Sequence, residues 1–220
     1  KVNTITKSNI YVTRLGEYQE GVYNNMIQDI VSDMASGRIH AKKSGDAEED
    51  DDEEGSGTKG TVRIGYTRLQ DPLQSLNMTF PLNDMMNELG ADDTTIEEKT
   101  VENILSRHAA VAKDAIGTRG LKSTMDYVDE RTESNYMKGQ FAYKTWIQQS
   151  REHKNFLAPD NVGRYSGKIK QICDRILESV GVVLVYSQYL DGGLIPFALA
   201  LEEMGMARYG TKDKSLFKTP

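Results

Sequence analysis

Apolar residues fall at three- and four-residue steps between Tyr18 and Met34: Tyr18, Val22, Tyr23, Met26, Ile27, Ile30, Val31 and Met34 share one face, which predicts a helix that Gly37 stops. Before it, residues 9–15 alternate, with Ile10 and Val12 apolar, as a short strand does. Residues 61–69 are again strand-like, and residues 70–81 read as irregular, punctuated by Pro72 and Pro81. A short helix is expected over 81–89, ending at Gly90. Thr94 and Thr95 precede Glu97 and Glu98 in a capping-box pattern, and Ile96, Val101, Ile104, Leu105 and His108 then mark a helix to about Ile116. A helix over 121–128 and a strand over 140–146 complete this middle part.

The pattern sharpens toward the C-terminus. Ile169, Ile172, Cys173, Ile176, Leu177 and Val180 have the spacing of one buried helix face, and Gly181 ends it. Residues 182–186 (VVLVY) form a continuous β-branched run, the mark of a strand buried on both faces. Asp191-Gly192-Gly193 predicts a turn. Pro196 suits the first turn of a helix whose core face is Phe197, Leu199, Ala200, Leu201 and Met204. Gly205 stops it, and residues 206–209 look like another strand. Helix, buried strand, turn, helix, strand is the opening of a parallel α/β domain.

Charge changes the picture in one place. Residues 46–54 (DAEEDDDEE) carry eight of the 33 carboxylates; the other 25 face 27 Lys and Arg. The net charge of −6 is therefore one local run, and composition gives no basic nucleic-acid patch. Carboxylates this dense repel and bury nothing, so residues 40–61 are expected to be a disordered, solvated insertion, with a basic protein as the partner that an acidic loop would suit. A single cysteine, Cys173, excludes a scaffold of intrachain disulfides. The chain starts KVNTITKSNI, without an initiator Met or an apolar signal core, so an internal piece of a longer intracellular, soluble protein is expected. Residues 180–201 are the one membrane candidate, and Asp191 at mid-span would cost roughly 2.5–3.5 kcal/mol. No membrane span is expected.

Candidate chemistry is sparse. Residues 117–124 (GTRGLKST) imitate a phosphate loop, but Leu121 separates Gly120 from Lys122 and no buried strand precedes; a helix stop followed by a helix start is the better reading. Asp129-Glu130 lacks the hydrophobic strand that a metal-holding acid pair needs, and reads as a solvated helix end. His40, His108 and His153 lie far from one another and from Cys173, so metal-ligand spacing is absent. Cys173 lies on an apolar helix face, which favours packing over nucleophilic chemistry. There remain Ser187, Gln188 and Tyr189, which leave the predicted strand at its carboxyl end, where doubly wound sheets present ligand-binding groups. They suit phosphate oxygens and a stacked base. Gly192-Gly193 reads both ways, as close approach to an anion or as turn geometry alone.

The text YSGKIKQICDRILESVGVVLVYSQYLDGGLIPFALALEEMG resembles the start of the second RecA-like lobe of superfamily 2 helicases, especially the Swi/Snf-type group. Ser166-Gly167-Lys168 opens a helix there, and Val185-Tyr186-Ser187-Gln188-Tyr189 is similar to the aromatic-Ser-Gln strand end of that group. The likeness is stronger still to helicases and transcription-associated ATPases of large nucleocytoplasmic DNA viruses. Residues 16–27 (GEYQEGVYNNMI) are similar to the tyrosine- and glutamine-bearing helix after the first lobe of those proteins, and residues 72–81 to their linker. The resemblance implies an α/β chain: a mostly helical inter-lobe region followed by the truncated start of a RecA-like parallel α/β lobe. The divisions are a post-lobe strand and helix (1–39), the acidic insertion (40–61), a helical inter-lobe region (62–160) and the incomplete second lobe (161–220). It implies a longer protein that is a nucleic-acid-dependent ATPase or helicase, translocating along or remodelling DNA in viral transcription, with ATP and Mg as its cofactors. Its DNA contacts would be Ser187, Gln188, Tyr189 and, ranked below them, Lys168. The Walker and motif VI residues that hold ATP in the family are not in this sequence, so no catalysis by this chain alone is expected. The competing readings are a non-enzymatic helical interaction module with an acidic tether and, weakest, a Rossmann-like nucleotide enzyme.

Overall fold

The computed structural model describes residues 9–35, 66–83, 110–130, 138–209 and 215–218. The acidic insertion and most of the helices expected over 81–116 lie outside these residues, as do His40 and His108. Among the described residues the elements run in the order α1 (Glu17–Ala35), α2 (Tyr66–Ser75), α3 (Gly117–Thr124), β1 (Met125–Glu130), β2 (Lys138–Tyr143), α4 (Thr145–Gln149), α5 (Val162–Tyr165), α6 (Gly167–Glu178) and α7 (Ile195–Glu203). A π-helical turn, Leu190–Leu194, leads into α7. The chain thus mixes helices with a small sheet. That sheet is antiparallel, β1 against β2, with Met125 opposite Tyr143 and Tyr127 opposite Phe141.

Local sequence explains the best-formed helices. Ser166 caps α6 by accepting the Ile169 amide (3.0 Å), and Ile169, Ile172, Cys173 and Ile176 turn inward, whereas Leu177 and Val180, expected on the same buried face, are exposed and the helix ends at Glu178. Pro196 sits in the first turn of α7, and Gly205 ends it with φ of +87°, a conformation glycine adopts without a Cβ clash. Met78, Phe80, Phe156, Leu157, Tyr165 and Leu199 are the middle of the main core. Val22, Met26, Leu82, Ala112, Ala115 and Ile116 form a second cluster under α1.

Several expectations are corrected. Residues 9–15 form no strand, and Ile10 and Val12 lie in water. Residues 66–69, expected as strand, are the start of α2, which carries Pro72 inside it. The helix expected over 121–128 instead spans Gly117–Thr124 and gives way to β1 at Met125. Asp129-Glu130 therefore closes a strand, not a helix.

The largest correction concerns residues 182–186. They are extended but belong to no sheet, and residues 206–209 do not pair with them. The strand character is still visible in how the side chains alternate. Val180, Val182, Leu184 and Tyr186 are 103, 102, 93 and 88% exposed, whereas Val183 is 45% exposed and Val185 packs on the core. Odd positions turn to the protein and even positions to water. A strand that wants cover on two faces has it on one, and its backbone makes no ladder bonds.

Candidate nucleic-acid interface and a buried junction

Ser187, Gln188 and Tyr189 follow that half-covered segment. The Ser187 hydroxyl is occupied locally: Oγ accepts the Tyr189 amide (3.1 Å) and donates to the Tyr189 carbonyl (3.2 Å). Both bonds shape the turn that carries Gln188 and Tyr189. Gln188 is exposed and Tyr189 is half-buried. These two carry the accessible amide and phenol of the strand end.

Lys168 lies elsewhere. Its ammonium donates to Asn77 Oδ1 (2.5 Å), and partial burial holds it below the usual lysine range. It lines a groove of about 450 Å³ between α6 and the extended segment, with Tyr11, Ile172, Ile176, Val183 and Val185. Arg175 stacks over Tyr11 at 4.8 Å at the groove's rim. Lys168 thus faces residues 183–186 and does not join the 187–189 cluster.

Gly192 is buried for a reason the sequence did not suggest. A Cβ there would come within 3.2 Å of the Gly117 backbone, so the two glycines let the turn lie against the start of α3. Thr118 donates its hydroxyl to Asp191 at the same contact. A carboxylate at the amide end of 117–124, with Gly192 filling the space, does not fit a nucleotide phosphate. These residues hold the turn, and no chemistry of ATP is routed through them.

A separate buried junction joins segments distant in sequence. Gln19, fully buried, accepts the amides of Gly16 (3.3 Å) and Gly167 (3.1 Å) at Oε1 and donates from Nε2 to the Ser75 carbonyl (2.7 Å). Ser166 Oγ donates to the Asn77 carbonyl (2.5 Å). The Thr79 amide and hydroxyl both donate to the Tyr165 carbonyl at 3.0 Å. Beside them Tyr18, Tyr165 and His153 make an aromatic cluster, with the Tyr165 hydroxyl 2.8 Å from His153 Nδ1. Burial pushes the Tyr165 phenol up to about 12, so it stays protonated. Sequence reasoning missed Gln19, although Gly16-x-x-Gln19 before a periodic apolar run is the glutamine half of a capping box.

Cys173 is buried in α6, and desolvation, with Asp174 alongside, pushes its thiol up to about 11. At pH 8 roughly one thiol in a thousand is then ionised. The native chain should therefore react with Ellman's reagent only as fast as it opens, with full reaction in 6 M guanidinium; prompt native labelling would contradict the burial.

Among the described residues no group of three or more His, Cys, Asp or Glu side chains could hold a metal ion, and no helix is long and apolar enough to cross a membrane. No protein-family model, curated protein or solved structure matches this chain.

Proposed function

We propose that this chain is the inter-lobe region and the start of the second lobe of a DNA-dependent ATPase of the Swi/Snf-type, superfamily 2 kind, serving DNA translocation or remodelling in viral transcription. One observation carries the reading. The three segments whose text resembles such motors, 16–27, 72–81 and 165–210, stand apart in sequence, yet residues of each meet in a single hydrogen-bonded junction through Gln19, Ser75, Asn77, Thr79, Ser166 and Gly167. Separate likenesses that assemble into one structural unit support a common origin better than any one of them does. On this reading ATP and Mg are bound by the longer protein, and the acidic run at 46–54 suits a basic protein partner.

In the intact motor, Gln188→Ala with Tyr189→Ala should cut DNA-stimulated ATPase at least tenfold while basal ATPase stays within twofold, since neither side chain continues the apolar run. Loss of a hydrogen bond and a stacked base together supports an effect of this size, about 0.5–1.5 and 1–3 kcal/mol respectively. The 220-residue chain alone should hydrolyse no ATP, having no phosphate loop or arginine finger. Unchanged DNA stimulation would sink the assignment of these two residues; an intact protein without any ATPase would sink the motor itself.

A second reading, a non-enzymatic interaction module, draws on the open face of Val180, Val182, Leu184 and Tyr186, which suits a partner's apolar surface. A full-length protein with no ATPase, whose binding to a protein partner is lost on Leu184→Lys, would favour it.

A further inference from the structure

Residues 215–218 are held in an unusual way. The Glu202 carboxylate, on α7, accepts two consecutive amides, Leu216 and Phe217, at 2.7 Å each. On the other side the same segment adds to β2 in parallel: the Phe141 amide donates to the Leu216 carbonyl and the Lys218 amide to the Phe141 carbonyl, both at 2.7 Å. Gln140 donates to the Ser215 carbonyl (2.9 Å), and the Phe217 ring is buried 4.8 Å from Tyr143. One residue along α7, Glu203 accepts the Tyr143 hydroxyl (2.9 Å). Adjacent carboxylates on one helix end thus divide the work, Glu203 on the strand itself and Glu202 on what covers its edge.

We infer that residues 215–218 are a releasable latch, with Glu202 as its catch, that ties α7 to the β1–β2 hairpin and closes the outer edge of β2. The inner edge of β2 is taken by β1, and the latch pairs its outer edge at Phe141. The attachment is a short set of hydrogen bonds, the buried Phe217 ring and the half-buried Leu216 at the margin of the main core, so it opens locally, at less cost than unfolding the core. Opening bares the Phe141 amide and carbonyl beside a carboxylate able to take two more amides. That is a place for an extended peptide segment with an apolar ring at its third position, the chemistry residues 215–218 themselves supply. The inference does not depend on the motor reading, since it uses only how the hairpin edge is filled.

The test is amide hydrogen exchange and chymotrypsin cleavage after Phe217 on the full chain. In Glu202→Ala, exchange at Leu216 and Phe217 and cleavage after Phe217 should each rise at least tenfold, while the α6 amides keep their protection. Glu202→Gln, which offers one acceptor oxygen in place of two, should fall between, and Glu203→Gln should leave the latch within twofold of the parent. Unchanged protection at Leu216 and Phe217 in Glu202→Ala would overturn the latch. So would equal loss in Glu203→Gln, or equal loosening of α6, because either would make Glu202 a general prop of the core.

Discussion

Gln19→Leu should destabilise the chain by about 4 kcal/mol, a large part of the roughly 5–15 kcal/mol that holds a typical domain folded. The side chain is fully buried and serves two amides and one carbonyl from three segments. Leucine has a similar volume but none of those bonds, and each buried backbone group left without a partner costs about 1–3 kcal/mol. Gln19→Glu should do no better: it keeps the acceptor, loses the donor to Ser75 and places a charge in the interior. Urea denaturation followed by the fluorescence of the single tryptophan, Trp146, is the measurement, since its indole is anchored to the Ser123 carbonyl at 3.0 Å in the folded chain. A midpoint shift worth under 1 kcal/mol would mean that water or a local shift replaces these bonds.

The second large effect belongs to two glycines in the same junction. A Cβ on Gly16 would lie 2.2 Å from the Gly163 carbonyl oxygen and 2.3 Å from that of Arg164; on Gly167 it would lie 2.1 Å from the carbonyl oxygen of Arg14. These obstacles are backbone, so no side chain can swing aside, and the segments must separate. Gly16→Ala and Gly167→Ala should each cost about 3 kcal/mol or more, the upper end of overpacking. Gly21→Ala is the internal contrast. It sits exposed in α1 with nothing within 4 Å of a Cβ, so alanine should stabilise by about 0.5–1 kcal/mol through helix propensity. The same denaturation curves read all three, and the opposite signs separate close packing from a general intolerance of substitution.

How far the sequence could be read depended on what each signal reports. Helix α6 and α7 were legible because a 3.6-residue stripe, a serine cap and a proline in the first turn are local, and local physics decides them. Strand β2 was legible from QFAY, but β1 was not: MDYVDE alternates too weakly, and its pairing depends on a partner in β2. Residues 182–186 mark the limit. Their composition states what environment they require, not whether neighbouring strands are at hand, and here only the odd-numbered side is covered. At the candidate interface the identity of the strand-end residues could be read, while the closure of Ser187 on Tyr189 and the pairing of Lys168 with Asn77 could not, because each is set by the tertiary path of the backbone. Gln19 carried a readable cap signal, but its third bond, to Ser75, belongs to the fold alone.

The water-facing row of Val180, Val182, Leu184 and Tyr186 has a consequence for handling the chain as a separate molecule. The stretch from Val180 to Tyr186 contains no charge, no proline and no bulge, the devices that usually keep a bare strand from recruiting its own kind. Its useful lifetime in a tube is then governed by concentration more than by folding free energy. Two samples with identical melting curves would age differently if one were ten times more dilute, and mild detergent or a lysine at position 182 or 184 would lengthen the life of the concentrated one without altering the core beneath.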